Sequence, residues 1–392
     1  MNIQDLGEID PGERLLLGAG PCNVPPRVFQ AVAAPSVGYL DPYLFNIMDE
    51  TQELLRALFR TENEVTLPLS VTGGGGMEAA LVNLLEPGDV VLVGVNGLFA
   101  SRMCDIVERL ACEAVRVDVD WGRAVPAERM EAELNKRSPK IVAVVNAETS
   151  TGARTPLKDL AKLAHDHGAL FLADTVTSLA GTDVSLDADG VDVAYSGTQK
   201  CISAFPGMSL VSFGPAAMRA VEARKSKVPN WYLDITMIRA YWGPARKYHH
   251  TPPINMIYGL REALRIIFEE GLEPRFARHM VNHRALVAGL EAMGLSMLVP
   301  KEERLPMLNA VRIPEGTDDA AVRKALLADF GIEISGGLGE LAGKVWRIGL
   351  MGHNARPRNV ILFLGALEAV LRSQGVKVGA GAVEAATAVW AS

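Results

Sequence analysis

The chain has 392 residues, of which 49% are hydrophobic and 22% are charged, and its formal net charge is −7. This length is enough for a large domain and a smaller one, each with its own hydrophobic core. The acidic balance argues against a nucleic-acid partner, and the lack of any run of 18 apolar residues argues against a membrane span. The first residues resemble neither a secretory nor a transit peptide, so we expect a cytoplasmic protein.

Cysteine usage points to the same compartment. The four cysteines are Cys22, Cys104, Cys112 and Cys201, and none belongs to a CxxC motif or a Cys/His cluster. Such usage fits a reducing environment and gives no indication of a structural metal site. We expect these side chains to be small buried hydrophobic groups, although Cys201 directly follows a lysine of interest.

The first half of the chain alternates short apolar runs with amphipathic segments, which is typical of a mostly parallel sheet covered by helices. A helical spacing of apolar residues begins at Gly76, and a later helix is predicted with Thr155 as its cap and Gly168 just past its end. Buried strands are predicted over residues 90–93, 141–145, 169–173 and 191–195.

The second half predicts a smaller α+β domain. A helix at about 257–269 is expected to join the domains, and a strand is expected to end at Arg347. Further elements are predicted at 274–293, 309–313, 319–330 and 357–373. We therefore predict an N-terminal arm (1–20), a large domain (21–270) and a small domain (271–392). The tail from Gly375 is either another helix or loose.

Candidate functional residues follow the predicted strands. Asp174 lies at the carboxyl end of one strand, and Lys200 comes 26 residues later, after the next strand. Ligands of open α/β sheets sit beyond the carboxyl ends of the strands, so these side chains should meet at one edge.

An enzyme that moves amino groups with pyridoxal phosphate needs a lysine for the aldehyde and an acidic partner for the pyridine nitrogen. Lys200 lies in a Gly-containing loop followed by apolar residues, which indicates a turn against the core. Burial would lower its pKa, whereas a solvated surface lysine is the common alternative. Asp174 could hold a protonated ring nitrogen, or it could cap a following helix.

The same chemistry needs a phosphate cradle and a cation for the substrate carboxylate. Residues 72–76, Thr-Gly-Gly-Gly-Gly, precede a helix whose N-terminus favours anions, although a glycine run is also often a flexible turn. The run matches neither a dinucleotide-binding nor a Walker motif. Arg347, near the end of an apolar strand, could bind a carboxylate bidentately or form a structural ion pair. Phe99 could stack on a cofactor ring or belong to the core.

These segments, in this order, resemble the alanine–glyoxylate and serine–glyoxylate aminotransferases of the class V, fold-type I group. The resemblance spans about 15–375 and rests on residues 17–23, 77–81, 86–89, 148–152, 174–179, 195–200, 231–234, 248–251, 333–339 and 344–354. It implies an α/β fold in which the large domain holds a mostly parallel seven-stranded sheet and a smaller α+β domain follows.

The resemblance also implies roles for individual residues. Lys200 would hold pyridoxal phosphate as a Schiff base, Asp174 would pair with the pyridine nitrogen, and Arg347 would bind the substrate carboxylate. The other cofactor-binding residues would be Thr72, Gly73, Gly74, Phe99, Thr149, Val176 and Gln199. Tyr248 and Thr251 would complete the phosphate site of the neighbouring subunit, which makes a homodimer part of the active site. Gly20 and Tyr39 would lie near the substrate.

Three positions depart from the pattern of these relatives. Ala19 replaces a usual proline, and Tyr39 stands where many relatives have histidine, beside the expected substrate entrance. Gly74 to Gly76 replace bulkier residues and leave room in the pocket. These departures affect the choice of amino donor and leave the cofactor residues intact.

The predicted reaction is a ping-pong transfer from alanine or serine to glyoxylate, with pyruvate as another acceptor. Close alternatives are pyridoxamine–pyruvate and ureidoglycine–glyoxylate aminotransferases, which share the fold and cofactor. A cysteine desulfurase needs a mobile thiol in the second half of the chain, yet no cysteine follows Cys201. A non-catalytic pyridoxal-phosphate-binding regulator would normally carry a DNA-binding segment, for which the chain has no spare length.

Overall fold

The computed structural model describes residues 7–391. Its strands are β1 Leu15–Leu16, β2 Val65–Leu69, β3 Val90–Val95, β4 Glu113–Asp118, β5 Ile141–Val145, β6 Ala147–Glu148, β7 Ala153–Arg154, β8 Leu170–Asp174, β9 Val193–Gly197, β10 Ser209–Phe213, β11 Leu308–Arg312, β12 Ile332–Glu333, β13 Ser335–Gly336 and β14 Val345–Gly349. Its α-helices are α1 Pro26–Val32, α2 Pro42–Phe59, α3 Gly73–Leu84, α4 Leu98–Arg109, α5 Ala127–Leu134, α6 Lys158–Asp166, α7 Leu186–Asp189, α8 Pro215–Glu222, α9 Ile235–Trp242, α10 Ile254–Glu270, α11 Leu272–Ala292, α12 Asp319–Phe330, α13 Pro357–Ser373 and α14 Ala382–Ala391.

Seven strands form the main sheet, in the order β2-β10-β9-β8-β5-β3-β4. β10 is antiparallel to both of its neighbours, whereas the other pairs are parallel. Every residue of β5 is buried, as expected for strands that helices cover on both faces. The predicted α/β class and mostly parallel seven-stranded sheet are confirmed.

Local predictions differ from the structure where the side-chain pattern was misleading. α3 begins at Gly73 and not at Gly76, because the leading glycines are helical although they add nothing to an apolar pattern. The prediction of Thr155 as a helix cap is wrong: α6 begins at Lys158, and the Thr155 hydroxyl accepts a hydrogen bond from the Val125 N–H at 3.2 Å. Gly168 does follow the helix, in the left-handed region with φ +74°.

A second, smaller sheet has the order β11-β14-β13, with antiparallel pairs. Side chains from this sheet, α11, α12, α13 and α14 form a hydrophobic core separate from that of the large sheet. The tail is a helix, α14, that packs against α11. The proposed domain boundaries at residues 20 and 270 stay a prediction.

The segment near the N-terminus connects the two cores. β1 pairs in parallel with β12, and Leu17 is buried in the second core. The Gly349 N–H donates to the Leu17 carbonyl at 2.8 Å, and the Cys22 N–H donates to the Gln199 carbonyl at 3.1 Å. Residues 15–22 therefore run from the small sheet to the loop that holds Lys200. Residues 1–6 of the predicted arm lie outside the described residues.

All four cysteines are buried as free thiols, as predicted. Among residues 7–391, no group of three or more His, Cys, Asp or Glu side chains is placed to hold a metal ion. None of the helices in the described range has the length and apolar character needed to cross a bilayer.

Candidate active site

Four adjacent parallel strands deliver the predicted residues to one edge of the sheet. β9, β8, β5 and β3 are neighbours: Asp174 is the last residue of β8, and Lys200, Thr149 and Phe99 follow the carboxyl ends of β9, β5 and β3. β2 runs in the same direction, since it is separated from β9 by the antiparallel β10. The start of α3 therefore reaches this edge as well.

A cavity of about 240 Å³ lies at this edge. Nine of the predicted residues line it: Thr72, Gly73, Gly74, Phe99, Thr149, Asp174, Val176, Gln199 and Lys200. The sequence did not single out five other lining residues: Met77, Arg102, Val145, Ala147 and Tyr195.

Lys200 is buried and points toward the N-terminal segment. Its Nζ donates a hydrogen bond to the Ala19 carbonyl. Burial, with a smaller contribution from the positive charge of Arg347, lowers the pKa of Lys200 to about 8. Roughly a tenth of the amine is therefore neutral at pH 7, and the neutral form is the one that a nucleophile or base requires.

Gly20 makes room for this lysine. Its φ is +102°, and a Cβ at this position would lie 2.6 Å from Lys200 Nζ. The close approach and the backbone conformation both require glycine. Gly20 thus lies beside the Lys200 amine, and its predicted place near the substrate stays a prediction.

Asp174 is the last residue of β8, and both oxygens of its carboxylate accept hydrogen bonds. Oδ1 accepts the Val176 N–H at 2.8 Å, and Oδ2 accepts the Tyr195 hydroxyl at 2.8 Å. A turn and not a helix follows, so the alternative of a helix cap is excluded. Burial raises the pKa of Asp174 to about 7, despite the opposing effect of both hydrogen bonds. A cationic group beside this carboxylate would remove the cost of its burial.

Tyr195 is the main residue that the sequence analysis missed. Its side chain is fully buried, and burial together with Asp174 raises its pKa well above the ordinary value. Tyr195 belongs to a strand that was predicted, but a strand buried on both faces gives no periodic signal for which side chains face a cavity.

The N-terminus of α3 forms another wall of the cavity. The first helical N–H groups have no partner within the helix, and the Thr72 hydroxyl makes no capping hydrogen bond. A Cβ at Gly74 would meet no atom within 4 Å, so this glycine leaves open space. The side-chain oxygen of Gln199 is buried without a hydrogen-bond partner among the described residues. The free N–H groups of α3 and the Thr72 hydroxyl can donate hydrogen bonds to an anion, whereas the Gln199 oxygen can only accept one.

Glu148 holds the backbone of Phe99 in place at the N-terminus of α4. Its Oε2 accepts the backbone N–H groups of Phe99 and Ala100 at 3.2 and 3.3 Å, at the N-terminus of α4. The Arg102 guanidinium lies 4.9 Å from the centre of the Phe99 ring. Glu148 is fully buried, and burial raises its pKa. The aromatic ring is therefore fixed at the cavity by a carboxylate cap on its helix.

Arg347 occupies the middle of β14 and not its end, because Ile348 and Gly349 continue the pairing with β11. Its Nε donates to the Gly336 carbonyl at 2.8 Å, and its Nη1 donates to the Thr149 carbonyl at 3.1 Å. No carboxylate within residues 7–391 lies at ion-pair distance, which excludes the alternative of a structural ion pair there. Burial lowers the pKa of this arginine. The guanidinium is anchored by carbonyls, and its charge is not balanced by a contacting carboxylate.

Five of the predicted residues lie outside the lining of this cavity, namely Gly20, Tyr39, Tyr248, Thr251 and Arg347. Tyr39 and Tyr248 are exposed and their ring centres are 4.6 Å apart, while the Tyr248 hydroxyl lies 3.1 Å from the Thr251 hydroxyl. Their places are compatible with roles at a surface, and their predicted roles in the active site stay predictions.

Residues 16–353 match the family model described as aminotransferase class-V, so the chain belongs to the class-V aminotransferases. The alanine–glyoxylate aminotransferase of Callithrix jacchus is 40% identical, over 92% of this chain and 88% of that protein. The solved structure of the ureidoglycine–glyoxylate aminotransferase of Bacillus subtilis is 39% identical, with a TM-score of 0.97 over 98% of this chain and 100% of that one. That of the alanine–glyoxylate aminotransferase of Nostoc sp. is 48% identical, with a TM-score of 0.92 over 95% of this chain and 100% of that one.

Proposed function

We propose that this protein is a pyridoxal-phosphate-dependent aminotransferase that passes the amino group of alanine or serine to glyoxylate in a ping-pong reaction. The observation that carries the proposal is the pair of buried groups in one cavity, an amine with a lowered pKa (Lys200) and a carboxylate with a raised pKa (Asp174). Strongly shifted pKa values in a shared cavity are characteristic of catalytic sites.

The residues of the cavity fit pyridoxal phosphate. The Asp174 carboxylate is buried without a cationic contact, as suits a partner for a protonated pyridine nitrogen. Thr72, Gly73 and Gly74 supply a hydroxyl and helix N-terminal N–H groups that could donate to a phosphate, and Gln199, which also lines the cavity, could donate through its amide nitrogen. Phe99 and Val176 line the space between and would pack on the ring. Thr149 would lie near the phenolic oxygen.

When bound, pyridoxal phosphate supplies an aldehyde that carries the amino group and a ring that accepts the electron pair released at the substrate carbon. Lys200 Nζ, mostly neutral above a pH of about 8, would be the nucleophile that holds the aldehyde and the base that takes the α-proton of the amino acid. Asp174 would hold the protonated ring nitrogen, because a buried carboxylate favours a neighbouring cation.

Arg347 would bind the substrate carboxylate. Two backbone carbonyls fix its guanidinium, and burial strengthens the attraction to an anion. A carboxylate held in a defined direction limits the orientations of the α-carbon, which favours one proton for transfer to Lys200. Arg347→Ala should chiefly raise KM for both amino and oxo acids.

We further propose that the active site is shared across a homodimer. Trp231, Tyr232 and Tyr248 are exposed, and the two ring nitrogens of His249 have no hydrogen-bond partner among the described residues. A second copy that covered this surface would bury the aromatic rings and bring Tyr248 and Thr251 to its own phosphate site. Tyr39, in contact with Tyr248, would then lie at the substrate entrance.

The decisive test is the location of the covalent label after borohydride treatment of the cofactor-loaded protein. We expect the pyridoxyl group on Lys200 and a loss of alanine–glyoxylate transamination by about a thousand-fold or more in Lys200→Ala, since this change removes both the nucleophile and the base. Lys162→Ala, which changes an exposed lysine, should retain activity and label. A label on another lysine would refute the assignment.

A second candidate donor is (S)-ureidoglycine, which the Bacillus subtilis relative uses by name. That relative is 38% identical over 96% of this chain, similar to the alanine–glyoxylate enzymes. A panel of alanine, serine and ureidoglycine against glyoxylate and pyruvate, compared by kcat/KM, would separate the two activities. Turnover of free pyridoxamine with pyruvate would instead support the pyridoxamine–pyruvate alternative.

A further inference from the structure

A second cavity of about 240 Å³ shares no lining residue with the active site. It lies where α10, α11 and residues 352–356 meet the loop 201–203. One wall is apolar and includes Ile202, Ile266 and Ile267. Charged and polar side chains form the rest of the wall, namely Glu270, Arg275, Arg278, His353 and Arg356.

The charges of this wall are unequal. Glu270 is shared by two arginines, with Arg275 Nη1 at 2.6 Å from Oε2 and Arg278 Nε at 2.5 Å from Oε1. Three guanidinium groups therefore face a single carboxylate of the lining, which leaves an excess of two positive charges. Burial and the surrounding arginines hold the pKa of His353 near 4, so His353 adds no charge at neutral pH.

Of the three guanidinium groups in this wall, that of Arg356 has no carboxylate partner among the described residues. Its Nη2 donates to His353 Nδ1 at 2.8 Å, and no carboxylate of the described residues lies at ion-pair distance from it. Burial, followed by the nearby charges of Arg358 and Arg278, lowers the pKa of Arg356. An anion in the cavity would relieve this repulsion.

The cavity walls are firmly built. Arg278 Nη1 donates to the carbonyls of Gly352 and Ala355 at 3.0 and 2.7 Å, and the Ser203 hydroxyl accepts the His353 N–H at 2.8 Å. Gly352 packs so closely that a Cβ would lie 2.0 Å from Ser203 Oγ. The space is thus defined by a network that links residues 352–356 to the loop 201–203, directly after Lys200.

We propose that this cavity is a binding site for a small dianion with a short apolar body, such as a phosphate monoester or a dicarboxylate. Two negative charges match the excess of two positive charges, and guanidinium groups bind carboxylate and phosphate oxygens in the same bidentate manner. The apolar wall accommodates the carbon chain. Arg356 is the residue that gains an ionic partner on binding.

Isothermal titration calorimetry on the cofactor-loaded protein tests the proposal. Inorganic phosphate, n-propyl phosphate and succinate are titrated separately at pH 7.5, with sodium chloride used to hold ionic strength constant. We expect saturable binding of at least one of these dianions, with tighter binding of n-propyl phosphate than of phosphate if the ligand is a phosphate ester. Preference for succinate would identify a dicarboxylate as the ligand instead.

Arg356→Gln should weaken this binding by about ten-fold or more, because it removes the unpaired charge. Arg358→Gln is the matched control: it removes an exposed charge two residues away that does not line the cavity, and its effect should stay below about two-fold. Arg356→Lys, which keeps the charge, should recover part of the affinity. Absence of saturable binding, or equal losses in the Arg356→Gln and Arg358→Gln proteins, would overturn the proposal. Binding of all the tested dianions that persists in Arg356→Gln would also do so, because it would place them outside this cavity.

Discussion

The Lys200 side chain fills the space beside Gly20, so that position 20 has no room for a side chain of its own. Gly20→Ala would place a methyl group 2.6 Å from Lys200 Nζ, on a backbone with φ +102°. We expect kcat to fall by about ten- to a hundred-fold, because small displacements of a reacting group are costly. Gly38→Ala is the control, since a Cβ there meets no atom within 4 Å and its activity should be unchanged. Wild-type kcat in Gly20→Ala would contradict this account of the amine's position.

Asp174 makes the stability of the cofactor-free protein depend on pH. Its pKa is about 7 in the folded chain and near 3.8 when unperturbed, so the folded state binds the extra proton between these values. Stability should therefore be higher at low pH and should fall as pH rises from about 4 to about 7.

Asp174→Asn should remove this contribution while abolishing most transamination. Glu148 also has a raised pKa. The test therefore uses the difference in the free energy of unfolding between the variant and the wild type at each pH. Urea unfolding of both cofactor-free proteins from pH 5 to pH 8 should show the variant gaining stability relative to wild type as pH rises. A difference that does not vary with pH would mean that the carboxylate of Asp174 is not destabilised by burial.

At the scale of single elements, α11 and α14 pack closely because Gly289 has no side chain. A Cβ there would lie 2.3 Å from Leu364 Cδ1 and 2.8 Å from the Ala382 carbonyl. We expect Gly289→Ala to lower the free energy of unfolding by about 1–3 kcal/mol, through overpacking. Gly365→Ala, on α13 with no atom within 4 Å of its Cβ, should instead raise it by about 0.5–1 kcal/mol. Urea denaturation of both variants measures the two changes in the free energy of unfolding, which should have opposite signs. If both substitutions were stabilising, α14 would pack less tightly against α11 than in this structure.

Helices and strands could be predicted from the sequence where their side chains formed a regular apolar pattern. β5 and β8 were recognised as apolar runs, whereas β10 was missed because Ser209 and Ser212 interrupt its pattern. These serines are nonetheless buried, and Ser209 Oγ donates to the Ser196 carbonyl at 2.7 Å. A buried polar side chain with an internal partner looks like a surface residue in the sequence.

The candidate site was predictable where it follows strand ends. Lys200 and Asp174 could be placed at one edge from strand order alone, because the carboxyl ends of parallel strands converge. Tyr195 and Arg102 could not, since their approach to the cavity depends on which face of a buried strand or half-exposed helix points inward. The place of Arg347 in mid-strand depended on pairing with β11, which is a contact distant in sequence.

At the scale of the whole molecule, the exposed aromatic surface predicts self-association. Trp231 is 58% exposed and its ring lies 4.2 Å from that of His249. Trp231→Asp should weaken the dimer by about ten-fold or more in sedimentation experiments, because exposed tryptophans often dominate interfaces. Leu362→Asp, which alters an exposed apolar residue of α13, should leave it intact. A wild-type chain that is monomeric at micromolar concentrations would exclude the shared site.

The segment 15–22 has a consequence for the order in which this enzyme matures. The Ala19 N–H donates to Ser335 Oγ across a separation of 316 residues, and the same residue's carbonyl holds Lys200. During translation β1 is synthesised long before its partner β12. β1 therefore has no strand to pair with during most of translation. The backbone that holds the Lys200 amine can therefore be tied to the small sheet only after residue 335 has been synthesised.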